Sequence, residues 1–244
     1  MRLSIIFGYI LGIAVVLVTI LTKEDTSYFI DFGALVITFG GTLAALLIHF
    51  SPKAFNSAFS SFTKLFSEKQ LSNKAVINNL ITLSREAKRN GLRSILSNSF
   101  VMENIFLEKG LMLVADGEDP DEIEGDLIQE SVNITESRTL GEQVFKVGGS
   151  LAPQFGMMGT IIGLIAMLNR VEDPASIPAA MGLALVTTLY GLVMSALFFK
   201  PTAGKIRIKN QIDTNAREIM LQGILSIQKG DSPQITREKL SIYL

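Results

Sequence analysis

The sequence predicts an all-α membrane protein: four transmembrane helices, a helical cytoplasmic domain inserted between spans 2 and 3, and third and fourth helices long enough to extend into the cytoplasm. Three observations carry that prediction. Apolar residues gather in four uncharged blocks, each about as long as the roughly 20 residues a helix needs to cross hydrocarbon. Lys and Arg concentrate in the segments that follow the second and fourth blocks. The polar segments carry apolar residues at three- and four-residue spacing, and no strand pattern, repeat or low-complexity tract stands out.

Composition narrows the function classes. Of 244 residues, 48% are hydrophobic and 18% charged, against about a quarter charged in soluble domains; mean hydropathy is +0.38. No cysteine is present, which excludes disulfides and thiol chemistry. A net charge of −1 implies no nucleic-acid partner. His49 is the single histidine, and no metal cluster, nucleophile–base set or phosphate loop occurs. The chain is therefore expected to be neither an enzyme nor the holder of a cofactor or resident metal.

The first block, Leu3 to Leu21, is uncharged. It is long for the apolar core of a signal peptide, lacks a clear cleavage site and is followed at once by a second block, so it reads as a retained helix. The second block, Phe32 to Phe50, contains no charge apart from His49 at its end. In the segment that follows, Val76, Leu80, Leu83 and Ala87 share a helical face, with Lys74, Asn78, Arg85 and Lys88 elsewhere. "DGEDPDEIEGDLIQE" is a helix start: Asp119 caps, Pro120 suits the first helical position, and Asp121 and Glu122 lie in the positive first turn. The pattern runs on to Lys146, and the helix can continue into the third block.

The third and fourth blocks, Val147 to Asn169 and Ile177 to Phe199, carry no charge. The tail is amphipathic, and Ile206, Ile212, Ile219 and Leu221 to Ile227 can pack on the helix from Asp119 onward. Helix from Pro178 to Gln228 would be roughly 75 Å long at 1.5 Å per residue, more than a bilayer; Gly230 and Pro233 are expected to end it. The expected domains are 1–50 (spans 1 and 2), 51–146 (cytoplasmic helical domain), 147–200 (spans 3 and 4) and 201–244 (C-terminal helix and tail). The short loops 22–31 and 170–176 hold only Lys23 and Arg170, whereas 51–146, with Lys53, Lys64, Lys69 and others, and the tail are rich in Lys and Arg. Both termini and the middle segment are thus expected in the cytoplasm.

The spans are built from small, uncharged residues. Gly8 with Gly12, Gly159 with Gly163, Gly156 with Thr160, and Thr187 with Gly191 and Ser195 lie on shared faces, which permits close helix packing. Thr160, Thr187 and Thr188 place hydroxyls in hydrocarbon. Each can bond its own i−4 carbonyl, or the three can line a path that offers oxygen to a hard cation or to water. Ion relays in membranes ordinarily use Asp, Glu or His. The first, third and fourth spans have none, and His49 sits at an interface. Either the chain moves no ion, or a partner donates the carboxylate. Pro153 cannot donate an i−4 hydrogen bond and would kink or start the third span.

"PQFGMMGTIIGLIAML", a short outer turn containing "DP", "ALVTTLYGLVMSALFFKPTAGKI" and "LMLVADGEDPDEIEGDLIQE" together closely resemble the MotA/PomA family of flagellar stator proteins, within the MotA/TolQ/ExbB superfamily. The resemblance covers nearly the whole chain. It implies a multi-pass protein of the bacterial inner membrane that forms a homopentamer around a MotB/PomB-type partner. That partner would supply a single span with an essential aspartate, which accounts for the missing carboxylate. The resemblance further implies that passage of H+ or Na+ rotates the ring against the rotor protein FliG. It marks Pro153 and Pro201 as functional prolines. It also marks Thr160, Thr187 and Thr188 as ion-path threonines, associated in sodium-driven members with transient sodium coordination.

The family grips FliG through basic, then acidic, residues. "REAKRNGLRSIL" resembles the basic part, with Lys88 and Arg89 on its charged pair; as plain residues these are also what a solvated helix face carries. The acidic part departs: Leu96, Ser97 and Asn98 stand where glutamates are usual. Glu103 or Glu108 is expected to substitute, unless the basic side dominates. "TTLYG" leans toward sodium as coupling ion. The alternatives are an ExbB/TolQ-like energiser, which on the family pattern has three spans rather than four, and a stator-like motor serving a system other than flagella.

Overall fold

The computed structural model describes residues 2–67, 72–169 and 177–244. Lys69, Arg170 and the outer turn with its "DP" lie outside these residues. Among the described residues every regular element is helical, and four helices are long and apolar enough to cross a membrane. The chain divides into two compact units: Met1–Glu68 with Arg138–Arg207, and Lys69–Ser137 with Ile208–Leu244.

The first unit holds the spans. Helix α1 (Arg2–Leu21) is the first. The second begins at α2 (Phe32–Leu35), where the Asp31 carboxylate accepts from the Ala34 amide. It continues through a π-helical turn, Val36–Gly40, into α3 (Gly41–His49). Thr38 and Thr42 lie along this span, and each hydroxyl donates to a carbonyl four residues back, so neither brings an unsatisfied donor into hydrocarbon. Phe50 is extended, and Pro52 opens α4 (Pro52–Ser67) at the position where a missing N–H costs nothing.

Ala54, Ala58 and Leu65 of α4 pack with Val144, Phe199 and Ile206. The Phe62, Phe145 and Phe198 rings stand 5.9–6.0 Å apart, in the range of favourable aromatic contact. Residues 51–67 and 138–146 therefore cluster with the spans. A division by apolar content breaks at 50/51 and 146/147, whereas compactness groups these flanks with the spans through their apolar faces.

The second unit begins with α5 (Asn73–Asn90), whose Val76, Leu80 and Leu83 are buried as their spacing predicts, while Arg85 and Lys88 are exposed. Gly91 leaves the helix at φ +86, a region that favours glycine. A 3₁₀ turn (Leu92–Ser97) leads to α6 (Ser99–Met102) and α7 (Ile105–Asp116). The Asn98 and Asn104 side chains cap these two helices by accepting from the Phe100 and Leu107 amides. Helix α8 (Pro120–Leu168) follows, with Asp119 accepting from the Asp121 amide.

Helix α9 (Ile177–Val193), a π-helical turn (Met194–Phe199) and α10 (Lys200–Gln228) form one continuous helical run. Leu80, Leu107, Leu111, Leu127, Ile219 and Ile224 make the second unit's core. A fully buried leucine of this kind contributes about 2–3 kcal/mol. Arg217, also buried, donates to the Ser131, Thr135 and Thr214 hydroxyls and so fastens α10 to α8.

Two expectations are corrected in part. Of the two readings of Pro153, a helix start is excluded, because α8 passes through it. Gly230, at φ +70, does follow the end of α10, but Pro233 opens a further helix, α11 (Pro233–Leu240), with the Ser232 hydroxyl capping the Ile235 amide. Proline is as good a helix opener as a breaker, and a serine just before it favours opening.

Candidate functional site: an uncharged, hydroxyl-bearing helix seam

The last third of α8 and helix α9 meet along glycines. A Cβ on Gly156 would lie 2.9 Å from the Thr187 carbonyl oxygen; on Gly163, 2.9 Å from that of Ala180; on Gly191, 2.5 Å from that of Ala152. These neighbours are backbone atoms, so the two helices touch main chain to main chain, as small residues permit in a membrane. The other expected pair does not behave alike. Gly12 faces Leu197, whereas Gly8 has nothing within 4 Å.

Three threonine hydroxyls converge on one carbonyl in this seam. Thr160 and Thr187 each reach the Ala184 oxygen at 2.9 Å, and Thr188 reaches it at 3.4 Å. Thr160 also lies 2.5 Å from the Thr188 hydroxyl and 3.2 Å from the Gly156 carbonyl, its own i−4 acceptor. A hydroxyl has one proton and two lone pairs, so Thr160 donates to one partner at a time and can accept from the Thr188 hydroxyl while donating to a carbonyl. The protons can all be taken up by helix carbonyls, and oxygen lone pairs are left over. Thr160 and Thr188 are half-buried. Thr187 is fully buried, its side chain 2.5–2.7 Å from where a Gly159 Cβ would stand. The structure therefore joins Thr160 to Thr188 at the surface and places Thr187 inside the seam.

The prolines flank this region. Pro153 is half-buried on α8; Pro201, exposed, is the second residue of α10. The buried Ser195 hydroxyl donates to the Gly149 carbonyl at 2.6 Å. The Thr202 hydroxyl donates to the Phe198 carbonyl and meets the Tyr9 hydroxyl of α1. Near the start of the second span, the Tyr190 hydroxyl donates to the Phe29 carbonyl at 2.7 Å and accepts from the Asp31 amide at 3.3 Å. These links from Tyr9 and Tyr190 went unread in the sequence, since no local spacing announces a partner more than a hundred residues away. His49 is exposed beside the Phe50 ring. No cluster of three or more His, Cys, Asp or Glu able to hold a metal occurs among the described residues.

In the second unit, Lys88 and Arg89 are exposed in the last turn of α5, where cations complement the helix dipole. Glu103 is exposed after α6, and Glu108 is half-buried in the first turn of α7. An acid the sequence reading passed over, Glu86, accepts from the Asn98 side chain at 3.2 Å. Asn98 is one of the residues that stand where glutamate was expected.

Long apolar helices with exposed Phe7, Ile10, Val18, Ile161 and Leu185 and a seam without ionisable groups define a multi-pass membrane protein with an uncharged polar track. The pattern of the MotA/TolQ/ExbB proton channel family matches residues 98–240. The chemotaxis protein PomA of Vibrio alginolyticus is 32% identical, over 100% of this chain and 96% of that protein. A chain of the flagellar MotAB stator complex from Bacillus subtilis is 29% identical with a TM-score of 0.84, covering 98% of this chain and 94% of that one. A chain of C. jejuni MotAB, 22% identical, has the same fold at a TM-score of 0.87, covering 100% and 96%. The chain belongs to the MotA/TolQ/ExbB proton channel family.

Proposed function

We propose that this chain is the ring-forming subunit of an ion-driven flagellar stator, with both termini and the second unit in the cytoplasm of a bacterium. The observation that carries the reading is the Thr160–Thr188 hydroxyl pair on a seam with no charge of its own. Such a seam offers oxygen ligands to a passing ion and needs a carboxylate from elsewhere. Similarity to PomA and to the MotAB stator chain supports a single-span, aspartate-bearing partner of the MotB/PomB kind. The exposed apolar faces of the spans fit lipid and neighbouring copies in a pentamer.

An ion that binds the partner aspartate neutralises it and lowers the cost of holding it in hydrocarbon. The partner helix then fits a different notch of the ring, and release toward the cytoplasm restores the charge and biases the next step. One charge crossing about 150 mV supplies roughly 3.5 kcal/mol, enough to bias a step between near-equivalent positions. A smooth lining of glycine, alanine and threonine suits a surface that must turn without deep traps. Lys88 and Arg89 are assigned to the grip on FliG, with Glu103 as acidic counterpart, and sodium is favoured as the coupling ion.

The test is co-expression with a single-span partner carrying one membrane aspartate, followed by sodium and proton flux measurements in vesicles. Co-purification and a flux abolished by replacing that aspartate with asparagine are expected. Flux that persists without the aspartate would overturn the reading.

A further inference from the structure

We propose that the Ser195 hydroxyl is a positioning group that replaces the backbone hydrogen bond removed by Pro153 and so couples the two proline-bearing helices. In an α-helix the amide of residue 153 would donate to the carbonyl of residue 149. Proline has no N–H, so the Gly149 carbonyl loses its i+4 donor within a segment that crosses hydrocarbon. Carbonyls there must be satisfied within the protein.

The Ser195 hydroxyl lies 2.6 Å from that same oxygen and is 2% exposed. Thr38, Thr42 and Thr202 donate to carbonyls of their own helices, whereas Ser195 reaches across to α8. The approach depends on glycine: a Cβ on Gly149 would meet Lys200 Cγ at 2.9 Å and Phe199 Cβ at 3.3 Å. One turn before Ser195, Gly191 lies against the Ala152 backbone, which holds the two helices at the required distance.

Ser195 lies in the π-helical turn Met194–Phe199, where the Lys200 amide donates to the Ser195 carbonyl, five residues back. Pro201 follows directly. One residue therefore accepts the wide-turn bond that precedes Pro201 and donates the bond that Pro153 lacks. Neither proline segment can swing without breaking this bond or carrying the other along. The prolines' part in ion-driven motion rests on the function proposed above; the hydrogen bond itself does not.

The test is a double-mutant cycle on the full chain with its partner, read by amide exchange over residues 147–158. Ser195→Ala is expected to speed exchange there by about tenfold, the scale of an orphaned buried acceptor, and Ser195→Thr, which keeps the donor, to restore it. In Pro153→Ala the helix regains its own amide donor, so adding Ser195→Ala should change nothing further. In vesicles, Ser195→Ala should reduce ion flux while the partner still co-purifies. Unchanged exchange in Ser195→Ala, equal acceleration in both backgrounds, failure of Ser195→Thr to restore, or undiminished flux would each overturn the proposal. Absence of flux in the parent complex, with the exchange cycle as expected, would instead count against the stator reading.

Discussion

Replacing Gly191 with alanine forces the third and fourth spans apart. The new Cβ would lie 2.5 Å from the Ala152 carbonyl oxygen and 3.2 Å from both the Ala152 carbonyl carbon and the Gly156 Cα. A carbon–oxygen contact settles at about 3.3 Å or more, so the helices must separate by about 0.8 Å. All three neighbours are backbone, and no rotamer change relieves them. Overpacking of this kind costs about 1–3 kcal/mol. Alanine recovers up to about 1 kcal/mol of helix propensity, so the net loss is about 2 kcal/mol at the upper end. In a chain of this size that lowers Tm by roughly 4–8 °C. Gly182, on the same helix, has nothing within 4 Å of its Cβ position, and Gly182→Ala serves as the control. The assay is thermal unfolding of both variants in the same detergent, followed by circular dichroism. A Gly191→Ala chain that melts at or above the Gly182→Ala control, which gains the same helix propensity without the clash, would refute the close-seam argument.

Charge reversal at Lys88 and Arg89 together leaves the fold and partner binding intact, because both side chains are exposed. Swimming torque should fall; normal swimming of the double variant would remove these residues from the rotor contact. The Lys239 ammonium and then the Ser226 hydroxyl hold the Asp231 carboxyl below its ordinary range. A carboxylate with a depressed folded pKa stabilises above its unfolded value, about 4, and the contribution fades as pH falls through the folded value. Lys239 is half exposed, so the effect is under about 1 kcal/mol. Limited proteolysis of residues 231–244 should therefore accelerate below about pH 4 in the parent, and Asp231→Asn should flatten that dependence.

Much of this was legible in the chain. Four uncharged blocks fix four spans because hydrocarbon accepts no bare charge and demands a helix of a given length. The three- and four-residue spacing of Val76, Leu80 and Leu83 fixes the buried face of α5, and Asp119-Pro120 fixes the start of α8. The threonines were legible as candidates, and so was the lack of any Asp, Glu or His in the third and fourth apolar blocks. These are local properties, set by residues within a turn or two of each other.

Tertiary structure alone decided which residue of one helix lies opposite which residue of another. Spacing gave Thr160, Thr187 and Thr188 equal standing; packing against Gly159 buried Thr187 and left Thr160 bonded to Thr188. Pro153 read as a kink or a helix start; α8 continues through it, and the Ser195 hydroxyl donates to the carbonyl that proline strands. The donor and acceptor of that bond are 46 residues apart. Helical periodicity relates a residue to its neighbours on one helix; the register between two helices depends on how closely their glycines let the backbones approach.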